Sequence, residues 1–137
     1  MAKLVHDRNR IRLDAHDTYA AYDFFVTAWH ILDWMYPDPS EASIRRSLRD
    51  ENSILQIADH VANGAKHFVL TNKRHTSVSD IEDRDGAFSA NAFSSMFSAD
   101  AFAFDGLHVR LSSGKLETVS HLADQLVEFW EAHLPPQ

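Results

Sequence analysis

The chain contains no cysteine. That removes disulfides, thiolate nucleophiles and cysteine-ligated zinc or iron–sulfur centres, and it suits a reducing compartment such as the cytoplasm. A metal would have to be held by His, Asp or Glu. No apolar run approaches the ~20 residues of a membrane span, so no membrane partner is expected. The first residues, Met1 to Arg8, turn charged before an apolar stretch develops, so no secretory signal is expected there either. Basic residues are outnumbered thirteen to twenty, a formal charge of −7, which disfavours nucleic acid and anionic lipid. Basic partners or small molecules fit that balance better. The length, 137 residues, is that of one domain with its own core. Nine of those residues are histidine, the feature of the composition that most asks for a reason.

Apolar spacing predicts mainly helical structure. From Asp14 to Met35 there is no Gly or Pro; Asp14 or Asp17 offers an N-cap, and Pro37 follows the end. At about 100° per residue, Phe24, Phe25, Ala28, Ile31, Leu32 and Met35 form an apolar arc, while Asp23, Thr27 and His30 form a polar stripe flanked by Trp29 and Trp34. Tyr36 to Ser40 reads as a proline-set turn. A short basic helix, Glu41 to Arg49, follows with Ser40 as its cap; its arginines read as a solvated face. Asn52 or Ser53 caps a third helix, Ile54 to about Leu70, with Ile54, Ile57, Ala58, Val61 and Ala65 on one side and Gln56, Asp59, His60, Asn63, Lys66 and His67 on the other.

Beyond it, Thr71 to Gly86 is acidic and aperiodic and reads as an exposed loop. A calcium-loop reading of it fails, because taking Gly86 as the loop glycine puts Ile81 and Ala92 at positions that need oxygen ligands. Ala87 to Phe104 is a tract of Ala, Ser and Phe, either a short helix or an aromatic loop. Asp105-Gly106 before Leu107 to Leu111 signals a hairpin turn, and Ser112 to Lys115 a second turn. The last helix runs from Glu117 or Thr118 to Leu134, ahead of Pro135-Pro136. The expected architecture is therefore a single helical bundle of three long helices and one short, with an antiparallel hairpin or meander at about 100–117 before the C-terminal helix.

The candidate functional residues lie on the third helix. Gln56, His60, Asn63 and His67 are four, three and four residues apart and form one line, with Asp59 and Lys66 beside it. Such a line is ordinarily the solvent side, yet solvated faces favour Glu, Lys and Arg, whereas His, Asn and Gln are better at directed hydrogen bonding. If the His30 stripe of the first helix faces it, His30, His60 and His67 converge with Asp33 or Asp59, a donor set suited to zinc, iron or manganese. The spacing opposes one ion bound by both His60 and His67, which stand about 10 Å apart along a helix. No metal site, and no cofactor, is therefore assigned. General acid–base work by His30, His60 or His67 is open, because imidazole titrates near neutral pH. No nucleophile elbow is present.

The segment Val61-Ala62-Asn63-Gly64-Ala65-Lys66-His67-Phe68 resembles the Arg-Asn-x-x-x-His stretch of HEPN domains, helical bundles of toxin–antitoxin, abortive-infection and CRISPR-linked proteins. The resemblance covers about one helix. It gives Asn63 and His67 the motif's polar residue and histidine; the arginine's place is taken by Ala62. In that family the arginine and histidine act together at a dimer interface to cleave RNA, so the resemblance implies a catalytically degenerate relative. The chain also resembles small bacterial or phage proteins carrying a Trp-His-x-x-Asp-Trp helix (Trp29 to Trp34), an Asn-Gly-x-Lys-His helix and a C-terminal Phe-Trp helix (Phe129-Trp130), a likeness that implies no activity. The functional expectation is an interaction or accessory domain of bacterial or phage conflict systems, with a protein partner or a second copy as its target and Gln56, Asp33, Lys66 and Trp34 as binding residues. The alternatives are a small metal-binding hydrolase using His30, Asp33, His60 and His67, and a metal-free ribonuclease dependent on His67.

Overall fold

The computed structural model describes residues 1–67, 78–84 and 106–134, with side chains described for 1–63 and 106–134. Five α-helices and a three-stranded antiparallel sheet make up these residues. The Ala87 to Phe104 tract, the Gly86 loop, Phe68 to Leu70 at the end of the third expected helix and the Pro135-Pro136 stop lie outside them.

Helix α1 (Ala2–Leu13) adds a helix to the expected set. Its buried residues are Leu4, Asp7 and Ile11, a seam one residue wide with a carboxylate in the middle, so its apolar signal is faint. Leu4 and Ile11 join the core, and ion pairs flank them. Lys3 meets the buried Asp7, Arg12 reaches Asp124 at 2.7 Å on the last helix, and Arg10 bridges Asp17 at 3.3 Å and Asp23 at 3.1 Å on the next.

Helix α2 (Thr18–Met35) starts where Asp17 accepts the Ala20 N–H at 2.8 Å, satisfying one of the orphan amide donors of a first turn. Its apolar arc is the centre of the core: Phe24, Phe25 and Ala28 are fully buried, and the two phenylalanines meet edge to face at 5.6 Å. A 3-10 turn (Pro39–Glu41) follows, closed by a capping box between Asp38 and Glu41. This box does the work expected of Ser40. Helix α3 (Ala42–Glu51) then runs with none of its residues buried.

Helix α4 (Ser53–His67) packs against α2, α3, α5 and the sheet. Enclosed on several sides, it buries Leu55, Ala58, Val61 and Ala62 but also Asp59 and His60. Here the structure corrects the sequence reading, because Asp59 and His60, on the polar side by spacing, are buried.

The sheet has the order β1-β2-β3. Strand β1 (Val78–Arg84) occupies part of what reads as an exposed loop, and pairs with β2 (Gly106–Leu111), placing Glu82 opposite His108 and Asp80 opposite Arg110. With two apolar residues in seven, its local pattern carries no strand signal; pairing with β2 defines it. Strand β3 (Leu116–Thr118) sets Thr118 opposite His108 on the other side. Gly106 is the first residue of β2 rather than part of a turn, and Asp105 lies outside the described residues. The turn is Ser112 to Lys115, closed by the Leu111 N–H donating to the Lys115 carbonyl at 2.9 Å, with Gly114 at φ +85°. Gly106 opens β2 at φ +104° and lies against the α1–α2 corner, where the Leu107 N–H donates to the Ala15 carbonyl at 2.9 Å. Glycine is needed there twice over: for the positive φ, and because a Cβ would sit 2.6 Å from that of Ala15.

Thr118 caps helix α5 (Val119–His133) by accepting the His121 N–H at 3.1 Å. Val119, Leu122, Leu126 and Trp130 face inward at helical spacing. They meet the α2 arc and Leu107 and Val109 of β2 in one core.

Candidate functional site

The α4 line divides by environment. Gln56 is half-buried and donates from Nε2 to the Asp50 carbonyl at 3.0 Å, tying α4 to the end of α3. His60, one turn on, is 1% exposed. Asn63 donates from Nδ2 to its own helix, to the Asp59 carbonyl at 2.8 Å and to Asp59 Oδ1. Asp59 is itself 3% exposed, and its other oxygen accepts from Arg49 Nη1 of α3 at 3.4 Å. Arg49 also grips Asp50 Oδ1 through Nε at 2.9 Å and Nη2 at 2.6 Å. The Asp50 carboxylate, then that of Asp59, holds the Arg49 guanidinium above its ordinary pKa. A buried carboxylate needs such donors. The Gln56-Asp59-Asn63 surface is thus a polar seam that fastens α3 to α4. Lys66 and His67 belong to the backbone of α4, and their side chains lie outside the described residues.

The α2 stripe leads elsewhere. Asp23 is occupied by Arg10 and Thr27 is buried. His30 is part-exposed, with Nδ1 at 2.9 Å from Asp33 Oδ2, one helical step away. The second oxygen of Asp33 faces Arg45 Nε of α3 at 3.7 Å. Arg45 in turn donates from Nη1 to the carbonyls of Tyr36 and, at 3.2 Å, Asp38. Tyr36 is the C-cap of α2 and Asp38 lies in the turn beyond it, so Arg45 links the end of α2 and that turn to α3. Reading it as one of several solvated arginines missed this role, and no local pattern signals it: the partner, Asp33, lies across a turn with two prolines.

At this corner Trp34 is 66% exposed and Ile44 43%. Each is next in sequence to one end of the Asp33–Arg45 contact. Phe24, Phe25 and Trp130 are by contrast buried, and Tyr22, Trp29 and Phe129 partly so. Leu13 and Tyr19 are exposed at the opposite end of α2, beside the α1–α2 corner.

Among the described residues no group of three or more His, Asp or Glu stands together as a set able to hold a metal. His30 and Asp33 are at the surface with Arg45, and Asp59 and His60 are in the interior with Arg49 and Asn63. Ala62, the residue before Asn63, is 1% exposed. One buried histidine escaped the sequence reading. His108, in the middle strand, donates from Nδ1 to the Gly106 carbonyl at 2.9 Å, a bond that steadies the start of β2. Comparison of the chain with protein-family models, with curated proteins and with solved structures finds no match in any of the three.

Proposed function

We propose that the chain is an interaction domain that docks a protein partner, or a second copy of itself, through the corner between α2 and α3, with Trp34 as its anchor. The observation that carries this reading is an indole left 66% exposed on a corner where Arg45 joins α2 to α3. Tryptophan and arginine are the residues on which binding energy concentrates. His30, Asp33 and Ile44 supply polar and apolar contacts around the anchor. Within the HEPN resemblance this corresponds to a relative without ribonuclease chemistry, which the buried Ala62 supports.

The test compares the unmodified chain with Trp34→Ala. Retention of a partner, or the dimer equilibrium measured by light scattering, should weaken about tenfold or more in the variant, as expected for a hot-spot aromatic, with helical circular dichroism unchanged. A chain that stays monomeric and retains nothing that the variant loses would overturn the reading.

A further inference from the structure

Helix α2 is apolar on two sides. Opposite the arc that fills the core, Tyr19, Tyr22, Val26 and Trp29 recur at intervals of three, four and three residues, the heptad spacing along which one helix seats another. Tyr19 is 82% exposed, and Tyr22, Val26 and Trp29 are half-buried. Apolar residues beyond the core-facing arc suit a helix that is covered on more than one side. Trp34, 66% exposed, stands at the rim of this strip.

Tyr19 and Trp34 are the two exposed large aromatics among the described residues. They lie seven residues before Val26 and eight after it, about 10 and 12 Å along the helix axis. A two-fold axis beside Val26 therefore brings Tyr19 of each copy against Trp34 of the other, the self-complementary contact of an isologous dimer. Charge selects the direction. The Asp23 and Asp33 side chains are 57% and 50% exposed. Parallel helices would set each of these carboxylates against its own counterpart, a costly pairing. Antiparallel helices set Asp23 of one copy beside His30 of the other.

We propose that the protein forms a two-fold dimer through the outer face of α2, its helices antiparallel and crossing beside Val26, with Tyr19 against Trp34 at each end. The inference rests on Trp34 as an anchor and names its occupant, a second copy of this chain. Contact along one helix face falls at the small end of specific interfaces, below about 1,200 Å², so the dimer should come apart on dilution.

The absence of cysteine from the chain makes cross-linking the test. Val26→Cys should form a disulfide-linked dimer under mild oxidation, because its two copies meet across the axis. Tyr19→Cys and Trp34→Cys should each link no faster than His6→Cys, an exposed position on α1 that reports chance collisions. Their like positions stand about 20 Å or more apart, yet the two variants should link to each other when mixed. Tyr19→Ala and Trp34→Ala should each weaken the dimer about tenfold or more in sedimentation equilibrium, with helical circular dichroism unchanged.

Self-linking of Tyr19→Cys or Trp34→Cys above the His6→Cys rate would mean a parallel pair and overturn the proposal. So would a Val26→Cys chain that links no faster than His6→Cys, or a chain that stays monomeric up to about 1 mM. A monomeric chain whose Trp34→Ala variant loses a different protein removes this inference and leaves the corner reading standing. A dimer linked through Val26→Cys that Trp34→Ala leaves unchanged overturns the corner reading, together with the Tyr19–Trp34 contact built on it.

Discussion

His60 and Trp34 are both residues that a sequence reading singles out for function, and their surroundings assign them opposite behaviour. With His60 1% exposed, His60→Ala is a large-to-small change in the core and should lower unfolding free energy by about 2–4 kcal/mol in a urea titration. Any loss of binding in that variant then tracks the unfolded fraction. Trp34→Ala, at an exposed site, should stay within about 0.5 kcal/mol of the unmodified chain while losing partner binding. The spacing of Gln56, His60 and Asn63 was legible in the sequence; their burial was not. A polar line four and three residues apart looks the same whether it meets water or Arg49 of a neighbouring helix. Gly106 presents the reverse case, a residue whose importance was legible and whose role was not. Gly106→Ala should destabilise the chain by about 1–3 kcal/mol, the range for strained backbone. Ala15→Gly in the same chain should recover only part, since a Cβ at 106 would still meet the Ala15 carbonyl oxygen at 2.8 Å.

At the scale of elements, caps and apolar spacing located α2, α4 and α5 to within a few residues, because Asp17, Thr118 and the proline turn act locally. Two elements escaped for a shared reason. Helix α1 and strand β1 draw their stability from partners distant in sequence: Asp124 for Arg12, and the whole of β2 for β1. Asp17 makes the element scale measurable. The Ala20 N–H, and after it the Arg10 guanidinium, hold its carboxyl below the usual carboxylate range. Its folded pKa thus lies under the unfolded value of about 3.9. The resulting stabilisation is complete above that unfolded value and is lost as pH falls through the folded one. The thermal midpoint should therefore drop as the buffer is taken from pH 5 towards about pH 2, and Asp17→Ala should start lower and show a shallower drop. An Asp17→Ala chain with the same slope would remove Asp17 from the account.

At the scale of the whole molecule, the mainly helical class and the late antiparallel hairpin were legible from periodicity, whereas the central place of α4 was not. Enclosure of a helix on several sides depends on how the other elements wrap around it. Among the described residues, no helix is long and apolar enough to cross a membrane. The core joins α1, α2, α4, α5 and β2, and α3 is left outside it. Having no buried residue of its own, α3 is held by Arg45, Arg49, its N-terminal turn and the half-buried Leu48. Segments with so few buried contacts open at a free energy well below that of global unfolding. Of the five helices, α3 should accordingly be the first that trypsin cuts under native conditions, after Arg46, with the fragments identified by mass spectrometry. Arg45→Ala should speed that cut several-fold without moving the global unfolding midpoint by more than a few degrees, because a surface contact of this kind is worth ~1 kcal/mol or less. A binding corner built on the least anchored helix is also one that a protease, or a partner that pries α3 loose, could dismantle while the rest of the domain stays folded.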